Sequence, residues 1–434
     1  MGLARDPSPA DSASRARPPS LFPAVVLLSA SVFINYIDRA NLGIAAPKLA
    51  DELQLSPSHM GILLSAFFWS YWGLQIPAGW LVERFNVNWI IAAGFCLWSL
   101  ATAATGLMRG FALILLMRLF LGVGESVAFP SCSKILAKHC PEVLRGRANA
   151  AISSGLGLGP SVGVFFGAML MDKFGWRPFF VTVGIASLLW LLLWAKWMPR
   201  GPGLMGSARA RDKGSPGLGR ILGQRSAWGT FGGLFAYNYL SYFLISWLPS
   251  YLVRERGFSM EHMGAIAGSA FLIQAFMAMA GGWLADRWII SGGALTLVRK
   301  TFAVAGSALA ACSCVMVSAF ARNDGMAVTF LFLTCIGAGL CTSNLWAITQ
   351  TIAGPQASAK WTGLQNFAGN TAGIISPLVP GFVAERTGHF FWAFAATSIV
   401  LLCGVISWAF VVGKVEPVDW DAAQPSAAVS GGAA

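Results

Sequence analysis

The chain has 434 residues, of which 56% are apolar and only 11% charged, and its mean hydropathy is +0.63. A soluble domain carries about 25% charged residues, so a water-soluble enzyme or regulatory domain is excluded. The formal net charge of +12 raises nucleic acid as a partner, but the placement of the charges argues for a membrane surface instead.

Runs of about 20 mainly apolar residues recur along the chain, the length that crosses about 30 Å of hydrocarbon. They are continuous rather than alternating, which predicts helices and not barrel strands. The expected fold is all-α and integral to a membrane, with twelve transmembrane helices in two parallel six-helix halves. Residues 1–20, polar and rich in Pro and Ser, read as a disordered cytoplasmic tail and not a cleaved signal peptide. Spans follow at roughly 21–46, 60–82, 89–108, 111–133, 148–171 and 178–198, forming an N-terminal bundle over 21–198. A Gly/Ser/Arg-rich cytoplasmic linker occupies 199–227. Six further spans, at roughly 228–251, 263–285, 300–320, 327–350, 362–384 and 389–412, form the bundle 228–413. Residues 414–434 are expected to be a small, flexible cytoplasmic tail.

Twelve crossings put both termini on one side. Of the 30 Lys and Arg, 20 fall on that side, eight on the other, and two inside spans. This excess marks the terminal side as cytoplasmic and explains the basic charge by anionic lipid rather than nucleic acid. The eight cysteines, mostly within spans and without a C-x-x-C pair, read as buried free thiols.

The two halves share a repeat. Residues 56–84 read SPSHMGILLSAFFWSYWGLQIPAGWLVER and residues 259–287 read SMEHMGAIAGSAFLIQAFMAMAGGWLADR. At a constant offset, Ser56, His59, Met60, Gly61, Gly79, Trp80, Leu81 and Arg84 recur as Ser259, His262, Met263, Gly264, Gly282, Trp283, Leu284 and Arg287, with Glu83 opposite Asp286. Parallel repeats of this kind build transporters whose substrate site lies between the halves near mid-membrane. His59 and His262 read as residues at helix starts, since neither has a second His or Cys at chelating spacing; no metal is expected.

Only four charged residues lie well inside spans, Asp38, Arg39, Arg118 and Glu125, all in the first half. Each costs at least about 2.5–3.5 kcal/mol on insertion scales, so intramembrane charges point to function. A buried structural ion-pair network is the competing reading. Arg118 and Glu125 are two turns apart on one face of the fourth span, about 10 Å along its axis. Antiparallel running places Asp38 and Arg39 at a depth close to Arg118. Neighbours on a helix point about 100° apart, so Asp38 and Arg39 each require a separate partner. Guanidinium groups suit an anionic substrate, because they stay protonated and grip carboxylate through a planar fork. Buried carboxylates suit proton exchange. The expected roles are carboxylate binding for Arg39 and proton coupling for Asp38 and Glu125, with Arg118 biasing the acids.

Several stretches resemble the anion:cation symporter family of the major facilitator superfamily. They are N-Y-I-D-R-A-N-L (35–42), L-S-A-F-F-W-S-Y (64–71), Q-I-P-A-G-W (75–80), R-x-F-x-G-x-G-E (118–125) and N-F-A-G-N-x-A-G-I (366–374). The resemblance covers nearly the whole chain. It implies bacterial hexuronate-, galactonate- or glucarate-type transport, with Asp38 and Glu125 coupling protons and Arg39 binding carboxylate. It also implies substrate contacts at Tyr71, Ser343, Trp346 and Asn366; Tyr36 and Arg118 are further candidates for substrate binding. The G-W-L-[VA]-[ED]-R turns resemble the superfamily's cytoplasmic loop motif, which implies gating roles for Gly79, Glu83, Arg84, Gly282, Asp286 and Arg287. A fifth-span Gln of galactonate carriers is Leu156 here, which implies a less hydroxylated or partly apolar acid. The run G-L-G-L-G-P-S-V-G (155–163) resembles an antiporter motif, and its physical meaning is close helix packing and a kink. Trp247 and Trp346 are candidate pocket walls.

The expected function is import of a small organic anion by proton symport, with no cofactor and a monomeric state, in a bacterial inner membrane. The alternatives are an organic-anion exchanger, a drug/proton antiporter, or a non-transporting sensor. An enzyme is not expected: no Ser/His/Asp set, metal cluster or phosphate loop is present in the sequence.

Overall fold

The computed structural model describes residues 22–140, 142–198, 216–320 and 323–420, and nearly all of them are helical. The first half comprises α1 (Phe22–Glu52), α2 (Pro57–Gly73), α3 (Gln75–Arg84), α4 (Val87–Thr105), α5 (Phe111–Ser126), α6 (Ala128–His139), α7 (Glu142–Phe174), α8 (Trp176–Ser187) and α9 (Leu189–Trp197). Short interruptions at Leu74, Val127 and Leu188 divide the second, fourth and sixth expected spans. After a short helix, α10 (Leu218–Leu222), the second half runs through α11 (Arg225–Ser250), α12 (Met260–Ile290), α13 (Leu295–Ala319), α14 (Asp324–Asn370), α15 (Ala372–Thr387) and α16 (Phe391–Ile406). Ten segments have the length and hydropathy of a membrane crossing. The other two expected spans are helical over 57–84 and 225–250; the first is broken at Leu74 and the second is diluted by Gly, Ser, Asn and Tyr.

The sequence repeat has a structural counterpart at the starts of α2 and α12. The Ser56 and Ser259 hydroxyls accept the backbone N–H of His59 and His262, and each also lies against the histidine's own Nδ1, at 2.9 and 2.8 Å. A serine at this position satisfies a donor that the first helical turn leaves open. Within α14 the chain reverses at Gly354, whose φ of +63° is open to glycine and strained for other residues. This bend separates the tenth span from the eleventh.

Residues 414–420 differ from the expected flexible tail. The indole N–H of Trp420 donates to the Ala353 carbonyl at 3.0 Å, and the Val418 N–H donates to the Ile352 carbonyl at 2.9 Å. The Arg220 guanidinium holds the Trp420 carbonyl, and Trp420 is 5% exposed. Burial of one large indole outweighs the polarity of the surrounding tail. The expected tail 1–20 and most of the linker lie outside the described residues; the linker's end is ordered as α10 and the first turn of α11.

The halves meet along three helix pairs. Between α2 and α15, Gly61 lies against the Pro377 carbonyl, and the Ser65 hydroxyl donates to the Ile374 carbonyl at 2.8 Å. Between α7 and α12, Gly268 packs on Phe165 while Ser161 donates to the Gly268 carbonyl at 2.8 Å. Between α1 and α11, Gly43 touches the Ile245 carbonyl. Beyond that contact, Pro249 loosens α11 and a π-helical turn, Tyr251–Glu255, brings Arg254 to Asp51 at 2.6 Å and to the Pro47 carbonyl at 3.0 Å. Among the described residues, every hydrogen bond between the halves lies in the middle of the molecule or at the end opposite the linker.

Candidate functional site

The four intramembrane charges converge between α1 and α5. All are buried, with Asp38 2%, Arg39 6%, Arg118 4% and Glu125 0% exposed. The G-x-G-E run explains how Glu125 comes to face α1. A Cβ on Gly122 would collide with Ser70 and Phe67 of α2, and one on Gly124 would collide with Trp98 of α4. Two glycines thus let α2 and α4 close in on either side, and the next residue projects between them. The glycine ridge of α7 performs the same service for α1: Gly155 meets Phe33, Gly159 meets Tyr36, and Gly163 meets Ile37. Close packing against α1 therefore accounts for Gly155, Gly159 and Gly163, while Gly157 meets Ala275 of α12.

Arg39 Nε donates to Glu125 Oε2 at 2.9 Å. Helical side chains lean toward their own N-terminus, and this carries Arg39 away from the depth of its Cα and toward Glu125. The guanidinium is packed among three rings, 4.7 Å from Tyr36, 5.0 Å from Phe67 and 4.6 Å from Tyr71. Cation–π contact holds it in a buried site without consuming its hydrogen-bond donors. Its Nη2 is buried without a hydrogen-bond partner among the described residues, and Asn35 stands beside the Glu125 carboxylate. Asp38 has a different partner, accepting from Asn41 Nδ2 at 3.1 Å on its own helix, with Thr102 of α4 beside it. The two neighbouring charges are therefore partnered separately, as their helical directions require. Arg118 makes no salt bridge among the described residues; its guanidinium lies 5.3 Å from Phe67, on the ring that also faces Arg39.

Three expected pocket residues stand apart in this conformation. Ser343 lies against Gly282 of α12, Trp346 packs on an apolar cluster around Leu345 and Trp361, and Asn366 offers its backbone carbonyl to Asn370. No contact among the described residues joins them to Arg39. Trp247 is not a wall of the charged site. It is buried, donates to the Pro377 carbonyl at 2.9 Å, and lines a separate cavity of about 450 Å³ near Arg254, Glu255 and His389.

The repeated turns are unequal. In the second half Asp286 pairs with Arg299 of α13 at 2.7 Å, and Arg299 also donates to Asn344 of α14 at 3.0 Å. In the first half α4 carries no Lys or Arg to meet Glu83. Lys134 of α6 instead donates to the backbone carbonyls of Val82 and Glu83 at the end of α3. Arg84 and Arg287 each lie 5.5 Å from the tryptophan four residues earlier. A Cβ at Gly79 would meet nothing within 4 Å, so packing does not require glycine there.

Sequence reasoning missed Asn41, Thr102, Tyr242 and Asn370. Asn41 stands three residues after Asp38 inside the first-span motif, and Asn370 stands inside N-F-A-G-N, so helical spacing was a usable signal for both. Tyr242 had none, because its place depends on packing between halves: its ring lies 4.4 Å from Phe68 of α2.

Two helical halves that share a sequence repeat, with a buried charged site in the first, define a multi-pass membrane transporter rather than an enzyme. The sequence profile of the Major Facilitator Superfamily matches residues 28–377, and the chain belongs to that family. A hexuronate transporter of Bacillus subtilis is 30% identical over 388 residues, covering 86% of this chain and 90% of the relative. A D-galactonate transporter of Escherichia coli is 28% identical, covering 91% and 96%. A probable galactarate/D-glucarate transporter of Escherichia coli is 29% identical, covering 89% and 93%. Among solved structures, an inward-facing, occupied bacterial homolog of the human lysosomal transporter Spinster superposes with a TM-score of 0.77 at 19% identity, covering 91% of this chain and 97% of that one. A D-xylose-proton symporter gives 0.73 at 15% identity, covering 91% and 98%. These two show the shared fold.

Proposed function

We propose that the protein imports a small organic anion, a sugar acid or another carboxylate, by proton symport. The observation that carries this reading is the buried Arg39–Glu125 pair, in which Arg39 Nη2 has no hydrogen-bond partner among the described residues. One guanidinium serves two carboxylates that compete for it: the protein's own and the substrate's. A proton on Glu125 cancels its charge and frees the Arg39 fork for the incoming acid. Asp38, bonded to Asn41 and close to Arg118, is the second proton-carrying group. Tyr36 and Tyr71 hold the guanidinium in place for the exchange.

The places where the halves touch support an alternating-access cycle. Their hydrogen bonds among the described residues lie in the middle and at the end away from the linker, which fits a state open toward the linker side and closed at the Arg254–Asp51 end. The charge asymmetry supports a cytoplasmic linker and termini, so the open side faces the cytoplasm of a bacterial inner membrane. The transport cycle needs no cofactor, and one chain holds the complete charged site, which suits a monomer. The three sugar-acid relatives support a carboxylate substrate.

Purified protein in vesicles tests the proposal. Adding hexuronate, galactonate or glucarate outside should alkalinise the external medium as protons enter with the acid. Uptake that depends on an internal acid and moves no protons would replace symport with exchange.

A further inference from the structure

The end of the molecule opposite the linker carries a second charged feature, on the first half alone and apart from the buried charges. The sequence places only eight of its 30 Lys and Arg at this end, the depletion that the cytoplasmic bias of basic residues produces. Two of them, Arg109 and Arg177, nevertheless line one open pocket of about 720 Å³, formed by the end of α1, the α4–α5 turn and the start of α8. Arg177 is fixed in place. Its Nε donates to Glu52 Oε1 at 2.9 Å, and its Nη1 donates to the Gly106 and Met108 carbonyls at 3.2 and 2.5 Å. The other Glu52 oxygen accepts the Trp176 indole N–H at 2.6 Å. Both oxygens of the pocket's carboxylate are therefore already bonded, while Arg177 Nη2 makes no hydrogen bond among the described residues. Arg109 is exposed, and it makes no ion pair or hydrogen bond among them either. Two guanidinium groups against one engaged carboxylate leave the pocket with a surplus positive charge.

The pocket opens onto the lipid-facing surface and not onto the seam between the halves. Leu107 at its rim, Leu100 near the end of α4, and Ile185 and Leu189 along α8 and α9 are all at least half exposed. Thr182, Ile185 and Leu189 follow one another at three- and four-residue steps, which puts them on one helix face. A Cβ at Gly184 would meet the Ala103 backbone at 2.4 Å, so α8 lies directly on α4 and their exposed faces are neighbours. From Thr182 to Leu189 this apolar track descends about 10 Å into the bilayer. A basic pocket at the head of an apolar track matches the two parts of a phospholipid, a phosphate above and an acyl chain below. A water-soluble anion would use the arginines and leave the track empty.

We propose that the pocket binds the headgroup of an anionic phospholipid from the leaflet opposite the linker. Arg109 and the Nη2 of Arg177 hold the phosphate, and one acyl chain lies along the α4–α8 face. The lipid braces the three helix ends of the first half beside Asp51, the residue that Arg254 of the second half engages.

The test uses the full chain purified in a neutral detergent, with dioleoyl phosphatidylglycerol, dioleoyl phosphatidylcholine and inorganic phosphate as probes. Phosphatidylglycerol should raise the thermal midpoint and persist as a one-to-one adduct in native mass spectrometry, and the other two should do neither. Arg109→Gln, which breaks no contact among the described residues, should leave the lipid-free midpoint unchanged. It should weaken the phosphatidylglycerol adduct about fivefold, the effect of one cation near an anionic surface. Thr182→Glu puts a negative charge at the exposed rim and should weaken the adduct at least as much; it decides the matter if Arg109→Gln does not fold. An equal shift from phosphatidylcholine, or a phosphatidylglycerol adduct that neither variant weakens, overturns the proposal. So does a shift from inorganic phosphate that matches the lipid's and is lost in Arg109→Gln, because the pocket would then be a site for a free anion.

Discussion

Replacing Glu125 with Gln isolates the competition for Arg39. The substitution keeps the size of the side chain and removes its charge, so the 2.9 Å bond from Arg39 Nε loses its ionic component. A hydrogen bond between charged groups contributes about 1.5–3 kcal/mol. In the wild-type protein at a pH where Glu125 is ionised, the substrate carboxylate must displace that bond. In Glu125→Gln it need not, so affinity should rise by about ten- to 150-fold and lose its pH dependence. The empty variant carries an unpaired buried guanidinium, a condition that costs about 3–5 kcal/mol when a buried pair is broken. Its thermal midpoint should therefore fall, and a bound acid should restore more of it than in the wild type. Thermal denaturation in detergent reads both effects, while vesicles report transport. Exchange of internal for external acid should persist, and accumulation driven by an imposed pH gradient should vanish. Accumulation that survives, or an affinity that weakens with an unchanged ligand-induced shift, would refute the coupling argument.

Five further substitutions, two of them controls, examine the surrounding architecture. Asp286→Asn removes a partly exposed pair worth about 0.2–1 kcal/mol together with the orientation of Arg299 toward Asn344. It should slow initial uptake rates severalfold, whereas Glu83→Gln, which breaks no pair among the described residues, should leave them unchanged. Gly159→Val places a Cβ 2.7 Å from that of Tyr36, and should sharply reduce the yield of monodisperse protein in size-exclusion chromatography. Gly79→Ala meets open space and should purify like the wild type. Trp420→Ala removes a buried indole and its bond to Ala353; large aromatic truncations cost about 3–5 kcal/mol, and limited proteolysis should cut sooner near residue 414.

Much of this protein was legible in the chain itself, because a bilayer constrains sequence severely. Continuous apolar runs could only become helices, and the offset repeat already implied two similar halves. The four buried charges stood out for the same reason: in hydrocarbon an ionisable side chain needs a purpose. Helical geometry even showed that Asp38 and Arg39 would face different partners. Tertiary structure alone decided which partners they took. Arg39 meets Glu125 through the lean of two side chains and the close approach that Gly122 and Gly124 permit, quantities that spacing along one helix does not contain. The hydrogen bond from Tyr242 to Asn370, the unequal turns at Glu83 and Asp286, and the docked segment ending at Trp420 belong to the same class. Each depends on contact between helices far apart in sequence, and lipid-facing and protein-facing apolar residues look alike until the helices are assembled.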